Sequence, residues 1–123
     1  MKVVKFGGSS MADAGQYRKI RDILLADPER RVVIVSAAGK RFSGDHKITD
    51  LLYLCHAHTQ YGVDCSNVFD MIRSRYLEIR DELGIKLDLE SEFAVPNTEK
   101  LRCTAREANS LPYRGVALYL AVP

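Results

Sequence analysis

Long apolar runs are missing from this 123-residue chain. Those present, such as residues 32–35 and 116–122, fall far short of the roughly 18 residues that a membrane-spanning helix needs. No transmembrane helix is expected. The opening Met1-Lys2-Val3-Val4-Lys5-Phe6-Gly7-Gly8 reaches glycine too early to form the apolar region of a signal peptide, so a cytoplasmic location is expected. Cysteine is scarce. Cys55, Cys65 and Cys103 are odd in number and match no zinc or redox spacing, which argues against a disulfide scaffold and for free thiols in a reducing compartment. A charge excess is lacking as well: 18 Lys and Arg against 16 Asp and Glu leave +2, too little for a nucleic-acid-binding surface. Repeats and low-complexity segments are absent, and a 46% hydrophobic content excludes disorder as the main state.

What remains is the composition and length of one soluble globular domain, long enough to bury a core without disulfides or a structural metal. Charge is unevenly spread. Residues 1–62 carry ten basic against six acidic side chains, and residues 63–123 eight against ten, so an anionic ligand is expected on the first half.

The order of elements points to an α/β fold. Lys2-Val3-Val4-Lys5-Phe6 reads as a short strand stopped by Gly7-Gly8. A helix follows, with Ser10 and Asp13 as a capping pair and Met11, Ala14, Tyr17, Ile20 and Leu24 on one face until Asp27-Pro28. Val32-Val33-Ile34-Val35 is a continuous apolar strand of the kind buried on both faces of a parallel sheet. Strand, helix and strand make a βαβ unit, and the loop over residues 36–45 lies at the strand end where open α/β sheets bind ligands. Thr49-Asp50 then caps a helix that Gly62 ends. Phe69, Ile72, Tyr76, Ile79 and Leu83 define the apolar face of another, with Arg73, Arg75, Glu78, Arg80 and Asp81 opposite and Gly84 as its stop. These two helices are expected to form a hairpin over the sheet. A short helix is expected over 85–94 with Leu87, Leu89 and Phe93 partly buried, then a helix over 97–109, and a strand or apolar helix over 116–122.

The informative motif is Lys5-Phe6-Gly7-Gly8-Ser9-Ser10 between strand and helix. Consecutive glycines let backbone N–H groups approach an anion with no Cβ in the way, and a helix N-terminus adds unpaired donors. Lys5 would add a full positive charge able to follow a phosphoryl group through its transfer. The competing reading, of equal weight from the residues alone, is a tight turn with a solvated lysine. The pattern is neither a P-loop nor a dinucleotide-binding fingerprint.

Three blocks, Lys5 to Ser10, Val33-Ile34-Val35-Ser36-Ala37-Ala38-Gly39-Lys40 and Lys47-Ile48-Thr49-Asp50-Leu51-Leu52, resemble in order the start of the aspartate kinases, within the amino acid kinase family. The resemblance covers residues 1–94 and implies an incomplete three-layer α/β sandwich with a mainly parallel sheet. It implies that Lys5 stabilises the transferred phosphoryl group, that Gly7, Gly8 and Ser9 contact the ATP phosphates, and that Ser36 and Thr49 contact the aspartate substrate. The implied reaction moves the γ-phosphoryl group of Mg-ATP to the side-chain carboxylate of L-aspartate, the first step toward lysine, threonine and methionine. It implies Mg-ATP as substrate, no tightly bound cofactor, no metal ligand in this stretch, no nucleic-acid or membrane partner, and a homo-oligomeric full-length parent. A carboxylate is already ionised near neutral pH, so the lack of a Ser-His-Asp or Cys-His arrangement is no objection.

Past Ala94 the family pattern is lost. The Ser-x-Gly-Glu block expected of aspartate kinases has its nearest echo in Tyr113-Arg114-Gly115-Val116, with valine in place of the acid, and Glu107 lacks the glycine spacing. Residues 95–123 are therefore expected to be a divergent tail, and the chain a fragment inactive alone. Two alternatives stand beside this: a non-catalytic remnant or interaction module, and an amino acid kinase for another acid. His56 and His58 lie about 200° apart on a helix and are poorly placed to share a metal. Cys55 and Cys65 read as core or interface thiols. Lys40, Arg41 and Lys47 either solvate their loop or attract phosphate, with equal weight.

Overall fold

The computed structural model describes residues 1–94, which form two compact units, 1–48 and 49–94. The segments expected over 97–109 and 116–122 lie outside the described residues.

In the first unit, β1 (Lys2–Phe6) and β2 (Arg30–Val35) pair in parallel. They are joined through a 3₁₀ turn (Gly8–Met11) and helix α1 (Ala14–Leu25). The register runs Val3 to Val32, Val4 to Val33, Lys5 to Ile34 and Phe6 to Val35, with an irregularity between Lys2 and Val3 that skips Arg31. This is the expected βαβ unit, and the α/β class holds. Met11, Ala12, Ala14, Ile20, Ala38 and Ile48 form its buried apolar set.

Two details differ from expectation. Asp13 itself caps α1, its carboxylate accepting the Gln16 N–H at 2.9 Å, while Ser10 sits inside the 3₁₀ turn. A cap of this kind stabilises a helix by about 1 kcal/mol. The strand Val32-Val33-Ile34 is not buried on both faces: these residues are 39–49% exposed, because β1 is its single neighbour among the described residues.

The second unit contains α2 (Ile48–Gln60), which starts at the boundary, α3 (Ser66–Leu83) and the short α4 (Leu89–Phe93). Leu51, Cys55, Cys65, Ile72 and Ile79 are buried. Gly62 and Gly84 both adopt positive φ, +67° and +66°, as their terminating roles require. Arg75, expected on the solvent face of α3, is instead 5% exposed. Helix α4 is shorter than expected: Asp88 caps it by accepting the Ser91 N–H at 3.0 Å, Leu87 before it is exposed, and Phe93 meets Phe69 edge to face at 6.0 Å. No helix among the described residues is long and apolar enough to cross a membrane.

Candidate active site

Parallel pairing sends β1 and β2 out of the same sheet edge, so the turn after Phe6 and the loop after Val35 emerge side by side. Lys5, Gly7, Gly8, Ser9 and Ser36 therefore share one edge of the first unit. Thr49 belongs to the second unit, half-buried in the first turn of α2 beside Asp50.

Lys5 is exposed, and its ammonium makes no ion pair among the described residues. Lys2 differs. Its Nζ lies 2.8 Å from Asp27 Oδ2 and 3.3 Å from Glu29 Oε2, so its charge is compensated within the fold. Two lysines on one strand thus have opposite standing, one bound into a surface network and one available to an external anion.

The glycine turn is open where an anion would approach. Gly7 is extended (φ −79°, ψ 176°), and a Cβ there would meet nothing within 4 Å. The Ser10 N–H closes the turn on the Gly7 carbonyl at 3.0 Å, while the N–H groups of Gly8 and Ser9 find no acceptor among the described residues. Such orphan donors, in the turn that directly follows the strand carrying Lys5, suit a phosphate group.

The loop after β2 is tied down from within. The Ile48 N–H donates to the Ala38 carbonyl at 3.0 Å. Asp45, 8% exposed, accepts the Arg41 backbone N–H at 3.0 Å and both arms of its guanidinium, Nε at 2.8 Å and Nη2 at 3.1 Å. Arg41 is therefore a loop strut. Lys40 reaches the Ser43 carbonyl at 3.4 Å, and Lys47 is exposed.

The same loop packs on the glycine turn. The Gly39 N–H donates to the Gly8 carbonyl at 2.8 Å, and a Cβ on Gly8 would stand 3.2 Å from the Ala37 carbonyl oxygen. Sequence reasoning placed both glycine-bearing loops at the strand ends but missed this contact. A lone glycine after Ala37-Ala38 was its one local sign.

Cys55, Cys65 and His58 belong to the second unit. Cys55 and Cys65 are both buried, and burial, with the neighbouring Cys65 thiol adding to it, pushes Cys55 up to about 11. His58 Nδ1 lies 3.2 Å from the Asp64 carbonyl oxygen. No group of three His, Cys, Asp or Glu side chains among the described residues could hold a metal ion.

A parallel βαβ unit with a glycine turn and an exposed lysine at its carboxyl edge defines an α/β domain of the kind that binds ligands at strand ends. Comparison with known proteins narrows the class. Residues 1–95 match the amino acid kinase family, and the chain belongs to that family. It is 42% identical over 85 residues to Aspartokinase 3 of Bacillus subtilis (strain 168), a match covering 69% of this chain and 19% of the relative. The crystal structure of Clostridium acetobutylicum aspartate kinase matches with a TM-score of 0.72 at 48% identity, over 74% of this chain and 21% of that one. The chain thus spans about a fifth of the length of each relative.

Proposed function

We propose that residues 1–94 form the phosphate-binding beginning of an aspartate kinase domain, acting on Mg-ATP and L-aspartate. The observation that carries this reading is Lys5: an exposed ammonium at the carboxyl end of β1 with no ion pair among the described residues, followed by a glycine turn whose Gly8 and Ser9 N–H groups find no acceptor among them. In this reading Lys5 stabilises the charge on the moving γ-phosphoryl group and the glycine turn holds the phosphates. Ser36, at the same edge, and Thr49, at the start of α2, supply hydroxyls to the amino acid. The acceptor carboxylate attacks without a general base, so catalysis reduces to positioning and charge stabilisation.

The 123-residue chain by itself is expected to release no ADP from Mg-ATP and L-aspartate, since it spans about a fifth of the length of Aspartokinase 3. That same coverage favours the second reading, a non-catalytic module. A chimera separates the two. Residues 1–94 replace the matching segment of Aspartokinase 3, and ADP release is followed with L-aspartate, L-glutamate and N-acetylglutamate. Turnover with aspartate that disappears in Lys5→Ala supports the kinase reading; a folded chimera inactive on aspartate refutes it. Turnover on another of the acids reassigns the substrate.

A further inference from the structure

Gly39 stands where no other residue fits. A Cβ at this position would come within 2.6 Å of Gly8 C, 2.8 Å of Gly8 O and 2.9 Å of Ser9 N. All three atoms belong to one peptide unit, and they are backbone, so no side-chain rotation relieves the overlap. Gly39 is also buried, and its N–H donates to the Gly8 carbonyl of that unit at 2.8 Å.

A peptide unit is planar, and no cis bond occurs among the described residues, so the Ser9 N–H points opposite to the Gly8 carbonyl. Fixing one end fixes the other. The Gly8 carbonyl is turned toward Gly39, and the Ser9 N–H is thereby turned away from the β2 loop, where it has no acceptor among the described residues. The anchor is itself rigid: Ala38 is buried with its carbonyl bonded to the Ile48 N–H, and the Arg41–Asp45 fork braces the loop beyond.

We propose that Gly39 is a positioning residue for the glycine turn: its hydrogen bond to Gly8, at a separation only glycine permits, orients the Ser9 N–H toward the phosphate. This inference rests on the phosphate-binding reading of Gly7, Gly8 and Ser9. Gly39 itself touches no substrate and acts through the Gly8–Ser9 peptide. The role differs from filling a turn, because Gly39 is in another loop, thirty residues along the chain from Ser9.

The test uses the ¹⁵N-labelled 123-residue chain titrated with inorganic triphosphate, with the Ser9 amide resonance as readout. In the wild type the Ser9 amide shifts on addition of triphosphate, and the Gly39 amide resists hydrogen exchange before and after. Gly39→Ala weakens triphosphate binding about tenfold or more, the scale of one lost charge-assisted donor. Gly44→Ala serves as the control in the same loop. A Cβ there meets only the Phe42 ring at 3.7 Å, so its binding stays at the wild-type level. If Gly39→Ala binds triphosphate as well as the wild type, the positioning role is overturned while the phosphate reading stands. If the wild-type chain shows no shift at Gly7, Gly8 or Ser9, the phosphate reading fails and the inference with it. Should Gly39→Ala not fold, the wild-type exchange data decide: a Gly39 amide exchanging as fast as an open one overturns the proposal, and a protected one beside a shifting Ser9 amide supports it.

Discussion

Arg41 closes a two-armed fork on Asp45, Nε to Oδ2 at 2.8 Å and Nη2 to Oδ1 at 3.1 Å, four residues apart in the loop that follows β2. The carboxylate side chain is only 6% exposed, against 34% for the arginine. This asymmetry decides how the pair responds to mutation. Removing Arg41 takes the guanidinium fork from a buried carboxylate, whereas removing Asp45 takes one acceptor from a side chain already a third exposed. Arg41→Ala is expected to destabilise the chain by about 2 kcal/mol and Asp45→Ala by about 1 kcal/mol. Urea unfolding followed by circular dichroism gives both values, and the reverse order would show that the fork does not anchor the loop.

Lys5→Ala is expected to leave stability within about 0.5 kcal/mol of the wild type, as for an exposed side chain with no ion pair among the described residues. Triphosphate binding should fall by about tenfold or more in the same variant. Lys2→Ala is the counterpart. It breaks exposed contacts to Asp27 and Glu29, removing between about 0 and 1 kcal/mol, and leaves triphosphate binding unchanged. Thermal melts and amide titrations on the two variants separate the roles. A loss of stability in Lys5→Ala comparable to its loss of binding would assign that lysine to the fold.

Gly84 ends α3 in the left-handed region, φ +66°, with its N–H directed back to the Arg80 and Asp81 carbonyls. A side chain there has free space, since an added Cβ meets nothing within 4 Å, so the penalty is conformational alone. Gly84→Ala should therefore destabilise by about 1 kcal/mol, with Gly84→Asn closer to the wild type because asparagine tolerates this conformation. Equal melting temperatures for Gly84→Ala and the wild type would contradict this account.

Glycine stops were legible in the sequence because they depend on one residue and its nearest neighbours. The same holds for the Lys5 to Ser10 motif and the strand that leads into it. Legibility failed where a distant partner decides the outcome. Arg75 is a different case: its charge groups it with Arg73 and Glu78 on the outer face, yet it is buried, because it stands three residues after Ile72 and four before Ile79 and so shares their helix face. Val32, Val33 and Ile34 read as a fully buried strand, but burial needs neighbours on both sides and β2 has one among the described residues. Arg41 offered two readings of equal weight until Asp45 was seen to accept from it. The Gly39 contact with Gly8 was hidden for the same reason: it joins two loops far apart in sequence.

Caps and ion pairs at the helix ends of the second unit contribute to the acidic limb of stability, beside the Lys2 hydrogen bond that lowers Asp27 in the first. Hydrogen bonds from Ser66 hold Asp64 below its ordinary value of 3.8, and hydrogen bonds from Ser91 do the same for Asp88. The Arg80 guanidinium, 2.5 Å from Glu90 Oε2, lowers Glu90 from 4.5. Each group is more acidic folded than unfolded, so its contribution is complete above the unfolded value and is lost as pH falls through the folded one. Stability should level off above about pH 5 and decline below about pH 4. Carboxyl ¹³C titrations should place the midpoints of Asp64 and Asp88 below 3.8 and that of Glu90 below 4.5. Midpoints at or above those values would remove these groups from the acid response.

The alkaline limb has the opposite sign and a single named source. Cys55 is fully buried in α2, and removal from water, reinforced by Cys65, pushes its thiol from 9.0 up to about 11. The folded chain therefore keeps this proton through a range where the unfolded chain releases it. That difference in bound protons makes stability fall as pH rises between 9.0 and about 11, and leaves it unaffected by this group below 9.0. Urea midpoints measured from pH 7 to 11 on a Cys103→Ser background should show the decline. Lysines and tyrosines titrate in the same range, so the informative quantity is the difference from the same background carrying Cys55→Ala, in which the slope between pH 9 and 11 should be shallower. The thiol also reacts as a thiolate, so at pH 8 a disulfide reagent should label Cys55 slowly in the native chain and rapidly in urea. Fast native labelling, together with parallel slopes in the two variants, would place Cys55 in contact with solvent.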